Sequence, residues 1–389
     1  MSIPSSTSSN TPPPPPSPPP PADRPGLPWR MTSSLVMGLT ASLSRVFLYG
    51  LNTVEVTGLR RFLDVLDARR DVDKRQRGLI TVCNHISVFD DPLMWGVLPF
   101  GRAFDPSNNR WGLGAHDICF KNDLLGAFFA AGQVLPTHRL QHSPHGGLFQ
   151  PTVSQAIRLL SSQPFVRPAA SPGDGGGEAP DEAAAAAIPG FPPIYARDRH
   201  SWVHVFPEAC VHQHPRLSMR YFKWGVSRLI LESEPMPDVV PIFVDGTQRV
   251  MPEDRGWPRF LPRAGVRLRV AFGAPVDAER TFGDLRAQWR ELVRQQRQQQ
   301  EAEAEDTRAP APRRALGELP DELKYGEKAV RLRIEVARRV REEVLKVRRS
   351  LGYPDEEPTG SELAETWTRE PGKDKFKSNV DGSLVNKRQ

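Results

Sequence analysis

The sequence predicts an α/β fold: a single domain with a central mixed β-sheet flanked by helices, plus disordered tails. Three observations carry that expectation. Short apolar, β-branched runs alternate with segments of helical periodicity, the pattern of a sheet covered by helices. The 389 residues include 40 Pro and 30 Gly, well above the combined share of roughly 12% in an average chain, and these are clustered. The hydrophobic share is 38%, below the usual roughly 45–50%, so tails and an insert dilute one core of roughly 220–250 residues.

Taken in order, residues 1–28 carry the runs Pro12 to Pro16 and Pro18 to Pro21 and read as a solvated, disordered arm. No basic residue precedes Arg24 and no apolar block is present, so the arm resembles neither a secretory signal nor an Arg-rich presequence. The main domain is expected over 29–285. It opens with Leu35 to Leu51, an apolar stretch interrupted by Arg45 and falling short of the about 20 residues a span requires. Two readings stand for it: a core helix, or an interfacial helix with Arg45 reaching toward headgroups.

Strands are expected at Gly78–Cys83, Ser201–Phe206, Val239–Val244 and Val266–Phe272, and helices at Leu148–Leu160 and Phe222–Glu232. A low-complexity insert covers about 165–200, with Ser171 to Gly177 and Ala183 to Ala187 inside it. Residues 286–352 form a charged helical extension. Within it Glu327 to Arg349 is expected as a partly packed, partly solvated helix, with a core, a partner protein or an anionic membrane as candidates for its apolar and basic faces. Residues 353–389 read as a disordered tail.

Composition also excludes classes of function. Cys83, Cys119 and Cys210 lie too far apart for a disulfide framework or a zinc spacing. A net charge of +6 favours an anionic surface and is too small to point to nucleic acid.

The chemistry-bearing text is Asn84-His85-Ile-Ser87-Val-Phe-Asp90-Asp91-Pro92, directly after the Gly78–Cys83 strand. A turn at a strand exit can bring Asp90 beneath His85, where the carboxylate holds one imidazole nitrogen and leaves the other to take a proton from a substrate hydroxyl. The alternative is a surface loop in which Ser87 or Asp90 caps the next helix. Further on, Phe206-Pro207-Glu208 closes a strand with a carboxylate that can point into the same cleft. Gly132-Gln-Val-Leu-Pro136-Thr-His-Arg139 ends in a cation suited to phosphate. Cys210-x-His212-x-His214 and His204 form a metal-like cluster at a glance but match no structural zinc pattern. His116-Asp117 is a second His/Asp pair, read as structural or as lining the cleft.

These blocks, in this order, resemble those of the glycerolipid acyltransferase superfamily. Within it the chain resembles the tafazzin family of cardiolipin-remodelling transacylases, in its fungal form. The resemblance extends to Trp95-Gly96, Ala115-His116-Asp117-Ile118-Cys119-Phe120, Arg220-Tyr221-Phe222-Lys223-Trp224-Gly225 and Val240-Pro241-Ile242. It covers roughly Leu35 to Val276 without the insert. It implies a coenzyme-A-independent transacylase that acylates monolysocardiolipin from donors such as phosphatidylcholine, without metal or other cofactor. His85 would be the base, Asp90 its orienting partner, and Arg139, Phe206, Pro207 and Glu208 the substrate-binding residues. It also implies monotopic association, through Leu35–Leu51 and Leu124–Leu135, with mitochondrial membranes facing the intermembrane space. An acyl-CoA-dependent lysophospholipid or glycerol-3-phosphate acyltransferase, or a membrane-bound scaffold of weakened activity, are the alternatives. The family's Gly after Phe-Pro-Glu is here Ala209, which costs roughly a kcal/mol if φ there is positive.

Overall fold

The computed structural model describes residues 25–139, 142–162, 192, 194–307 and 314–355. Most of the Pro-rich arm, of the insert and of the C-terminal tail lies outside them. The strands are β1 (Thr53–Thr57), β2 (Leu79–Cys83), β3 (Arg110–Ala115), β4 (Val134–Thr137), β5 (Trp202–Val205), β6 (Asp238–Asp245) and β7 (Arg267–Phe272). The helices that matter here are α1 (Leu27–Leu51), α2 (Leu59–Ala68), α3 (Asp90–Trp95), α4 (His116–Cys119), α5 (Asp123–Ala131) and α6 (Pro151–Leu160). They continue with α7 (Gly225–Glu232), α8 (Thr247–Val250), α9 (Ala278–Thr307), α10 (Asp321–Tyr325) and α11 (Glu327–Ser350).

The strands form one mixed sheet of order β1-β7-β6-β2-β5-β3-β4. Every neighbouring pair is parallel except β6 and β7, so β1 and β7 run against the other five. Strand β2 reads Leu-Ile-Thr-Val-Cys and is buried at every residue, as expected of a parallel strand covered on both faces. The five co-directional strands release their C-terminal ends along one edge, where α/β folds place ligands. Motifs singled out in the sequence follow four of those ends: Asn84 after β2, His116 after β3, His138 after β4 and Phe206 after β5.

Three strands, β1, β3 and β4, are not among those expected from sequence. Gly112 and Gly114 dilute the β-signal of β3, and β4 carries Pro136, tolerated because β4 is the terminal strand of the sheet and needs no ladder donor on its outer side.

Helix α1 starts at Leu27, eight residues before the expected start at Leu35, with Pro28 seated in its first turn. Its 25 residues make it the one helix among those described that is long and apolar enough to cross a membrane by length and composition, which corrects the expectation that this stretch is too short. One stripe of it (Ser33, Met37, Gly38, Ser44, Leu48) packs inward, with neighbours in the Phe100–Phe104 turn, α3 and α5. A Cβ on Gly38 would sit 2.1 Å from the Phe104 ring, so only glycine permits this approach. Arg45 does not extend outward as expected of a snorkelling cation. It turns inward, and its Nη1 donates to the carbonyls of Gly96 (3.2 Å) and Leu98 (3.0 Å), tying α1 to the segment after α3.

The segment expected as a C-terminal extension is part of the domain. The anticipated boundary after 285 falls inside α9, and α11 packs across β6, β2 and α7. Leu332, Val336, Val340 and Val344 bury the apolar face of α11, so of the three candidates for that face (core, partner protein, membrane) the core is the one it meets. Its buried arginines reach main-chain carbonyls: Arg341 donates to Arg220 (3.0 Å) and Met219 (2.8 Å), and Arg348 to Leu217 (3.0 Å) and Arg216 (2.9 Å). The helix thereby braces the loop 216–220, which borders the site.

Candidate active site

The turn after β2 brings His85 and Asp90 together as the sequence spacing allows. His85 Nδ1 lies 2.9 Å from Asp90 Oδ2, and Asp90 is fully buried while the His85 side chain remains 22% exposed. Asp90 is over-determined. Its Oδ2 also accepts the main-chain N–H of Ile86 (2.6 Å) and Ser87 (2.8 Å), and its Oδ1 accepts the Thr247 hydroxyl from the start of α8. Gly246, at φ 101°, makes that contact possible, because a Cβ there would lie 2.3 Å from the Arg267 carbonyl. A buried carboxylate holding four donors keeps the imidazole in one tautomer, with Nδ1–H donating and Nε2 left as an acceptor. Ser87 is buried beneath this turn, and its hydroxyl accepts from the Phe89 N–H at 3.3 Å, so it serves the loop and is not exposed as a nucleophile.

The His85 main chain is fixed from three sides. Glu208 Oε1 accepts its N–H at 2.8 Å, its carbonyl accepts the His212 N–H at 2.8 Å, and the neighbouring Asn84 amide pairs with both main-chain groups of Val244 at 2.8 and 2.9 Å. Phe206 stacks on the His85 ring, with centroids 4.4 Å apart and an interplanar angle of 25°. Behind Phe206, His204 is buried edge-on to it at 4.5 Å, with Nδ1 2.8 Å from the Thr81 hydroxyl. Burial pushes the His204 pKa down to about 3, so this imidazole is neutral.

The Glu208 carboxylate, expected to point into the cleft, is engaged by the main chain. Both oxygens accept main-chain N–H groups, of His85 and of Arg220 (2.8 Å each), which joins the β2 exit to the loop held by α11. Burial raises its pKa to about 7 against those two donors, which act in the opposite sense. Arg139 likewise is a paired cation: its guanidinium forms a two-pronged bridge with Asp117, with Nε to Oδ1 at 2.9 Å, and the bond to Arg139 holds the Asp117 carboxyl below its usual range. Pro207 contributes its carbonyl to the Lys223 N–H at 2.8 Å. Burial lowers the Lys223 pKa to about 7.

His85, Arg139, Phe206, Pro207 and Glu208 all line one cavity of about 1830 Å³, well above the roughly 300–1,000 Å³ of an ordinary small-molecule site. Its lining includes the apolar Val36, Met37 and Ala41 of α1 with Phe128, Phe129 and Val134, and the cationic Arg139, Arg220, Lys223 and Arg255. Asp91 sits against it in an ion pair with Arg110, Nε to Oδ1 at 2.8 Å, and accepts the Trp95 indole N–H at 3.0 Å. Burial, the largest single influence, pushes the Asp91 pKa up, but the Arg110 charge, the nearby His204 and the bonds from Arg110 and Trp95 together outweigh it and leave the carboxyl below its usual range. Among the described residues no cluster of His, Cys, Asp and Glu is placed to hold a metal ion. His212 and His214 are instead used in the loop, the His214 ring accepting the Arg216 N–H at 3.2 Å.

Sequence reasoning did not single out Thr247, His204 as a neighbour of the His85–Phe206 stack, or the Asn84–Val244 clamp as parts of the site. Only the fold brings Thr247, far along the chain, to Asp90.

A family profile described as Acyltransferase matches residues 54–245. Tafazzin of Saccharomyces cerevisiae is 35% identical over 338 residues, covering 85% of this chain and 81% of its own length. The Dictyostelium discoideum protein named Taffazin is 30% identical over 231 residues, covering 58% of this chain and 64% of its own. A solved structure, the 1-acyl-sn-glycerophosphate (LPA) acyltransferase PlsC from Thermotoga maritima, overlaps at a TM-score of 0.38 with 15% identity, covering 72% of this chain and 81% of that one.

Proposed function

Because the chain belongs to the tafazzin family and is a phospholipid acyltransferase, we propose that it is a coenzyme-A-independent transacylase that acylates monolysocardiolipin from a donor phospholipid such as phosphatidylcholine. The single observation that carries the reading is the His85–Asp90 contact at the wall of a cavity lined by both apolar and cationic residues.

In this reaction His85 Nε2 takes the proton of the acceptor's free hydroxyl as that oxygen attacks the donor's ester carbonyl. The buried Asp90 carboxylate stabilises the imidazolium that forms. Collapse of the tetrahedral intermediate breaks the donor's ester bond, and its glycerol oxygen leaves with the proton returned from His85. The products are the acylated acceptor and a lysophospholipid, with no acyl-enzyme. Phe206 holds the imidazole plane, Pro207 and Phe206 shape the wall beside it, and Glu208 holds the His85 main chain. Arg139, partly neutralised by Asp117, is the cation assigned to a lipid phosphate. The exposed apolar face of α1 supports peripheral attachment to a membrane, and we assign this to mitochondrial membranes facing the intermembrane space.

The test is transfer of a labelled acyl chain from phosphatidylcholine to monolysocardiolipin in liposomes, without coenzyme A, by the wild type and by His85→Ala. Label in cardiolipin with the wild type alone supports the proposal. Transfer that requires added acyl-CoA replaces it with the acyl-CoA-dependent reaction, and equal transfer by both proteins removes His85 from the mechanism.

A further inference from the structure

The loop 251–266, between α8 and β7, carries the most exposed aromatic side chain of the described residues. Trp257 is 90% exposed, Phe260 77% and Leu261 58%. Three large apolar side chains held out at one tip cost solvation free energy that a soluble surface ordinarily avoids. The tip is also ordered by its own bonds. Arg255 donates to the carbonyls of Arg259 (2.5 Å) and Pro252 (2.6 Å), Leu261 N–H to Pro258 (3.2 Å) and Arg263 N–H to Val250 (2.9 Å). The apolar side chains therefore project from a built turn. The same loop carries Arg255, whose guanidinium is used in those bonds, and the exposed Arg259 and Arg263, with Glu253 and Asp254 as its acidic residues; Arg259 Nη2 donates to the Glu253 carbonyl at 3.2 Å.

Position gives the tip a use. The Gly265 N–H donates to the Leu51 carbonyl at 2.8 Å, which places the loop at the C-terminal end of α1. Leu39, Leu43, Val46 and Leu51 of α1 are exposed as well, so the helix that the loop's end joins also carries apolar surface. The loop's other end reaches the site. Gln213 donates to the carbonyls of both Ile86 and Met251 (2.9 Å each) and accepts the Glu253 N–H (2.9 Å), and Glu253 and Arg255 line the cavity.

We infer that the loop 251–266 anchors the protein to an anionic phospholipid surface, Trp257, Phe260 and Leu261 entering the interface beside the end of α1 while Arg259 and Arg263 meet lipid phosphates. Aromatic residues sit at the headgroup level of bilayers and cationic neighbours add attraction to anionic lipid, so this pairing suits a membrane better than a protein groove. The anchor deepens the lipid-transfer reading, because it would hold the cavity mouth against the substrate phase. Its test does not depend on turnover.

Full-length wild type, Trp257→Ser/Phe260→Ser/Leu261→Ser and Arg259→Gln/Arg263→Gln are sedimented with vesicles of phosphatidylcholine alone and of phosphatidylcholine with phosphatidylserine. Thermal melts confirm that the surface substitutions leave the fold intact. The triple variant is expected to bind both vesicle types roughly tenfold less or weaker still, with α1 supplying the remainder. The double variant is expected to lose binding only on the anionic vesicles, together with the salt sensitivity of that binding. Unchanged vesicle binding by the triple variant overturns the anchor. So does a loss of self-association without a change in vesicle binding, which would make the tip a contact between copies of this chain. Transfer activity measured on detergent-dispersed lipid separates the two proposals: a wild type that binds vesicles through the loop but transfers no acyl chain refutes the transacylase and leaves the anchor standing.

Discussion

Glu208 holds His85 by its main chain: Oε1 accepts the His85 N–H at 2.8 Å while Oε2 accepts the Arg220 N–H at the same distance. The family block that reads as a substrate-binding carboxylate is here a bridge between the loop carrying the base and the loop supported by the C-terminal helix. Glu208→Gln replaces one acceptor with an NH₂ group facing an N–H donor. The expected result is a loss of about 1–3 kcal/mol of stability, measured by denaturant unfolding, together with a fall in acyl transfer.

Ala209 adopts φ 58°, in the left-handed region, one residue after that bridge. The Phe206 carbonyl accepts its N–H at 3.0 Å, so Ala209 closes a turn and leaves it in this conformation. Ala209→Gly is therefore expected to raise stability by up to about 1 kcal/mol, the left-handed penalty less glycine's greater entropy when unfolded. Transfer activity should stay equal or rise, and a lower melting temperature would contradict the account.

His204 supplies a pH prediction. Its pKa is depressed to about 3 in the folded protein by burial, against about 6.5 in the unfolded chain. Between those values the unfolded state binds more protons, so stability falls as pH falls from about 6.5 toward about 3, by up to about 1.4 kcal/mol per pH unit from this residue. His204→Asn keeps a polar atom toward Thr81 and cannot take up the proton. Its unfolding free energy is expected to decline less steeply over that window than the wild type's.

The arginines of α11 supply a prediction away from the cleft. Arg341→Met leaves the Met219 and Arg220 carbonyls without these donors in a buried position. A destabilisation of about 2–4 kcal/mol is expected from two such losses. Because the Arg220 N–H also serves Glu208, transfer should fall more than in a variant of the exposed pair Arg331 and Glu327 on the same helix.

How much of this was legible in the sequence depended on whether the signal was local. The β2 run, the strand before Phe206 and the His85–Asp90 spacing are readable because a few adjacent residues carry each. Strands β1, β3 and β4 were hidden by short length, by Gly112 and Gly114, and by Pro136. The helix Glu327–Ser350 showed its period but not its depth. Arg333, Arg341 and Arg348 look like a solvated face until the fold supplies carbonyls for them. The same holds at the site, where Arg139 and Glu208 have the residue types of ligand contacts, yet Asp117 and two main-chain N–H groups hold them. Only the tertiary structure shows those partners.

The most direct test of the central claim is the rate of coenzyme-A-free acyl transfer by Asp90→Asn, with the fold verified by its melt. The amide retains an acceptor for the Ile86 and Ser87 N–H groups but cannot stabilise a charged imidazole. The account predicts a fall in kcat of about 10³-fold or more with KM little changed. A kcat within a few-fold of wild type would contradict the assignment of His85 and Asp90 as the base and its partner.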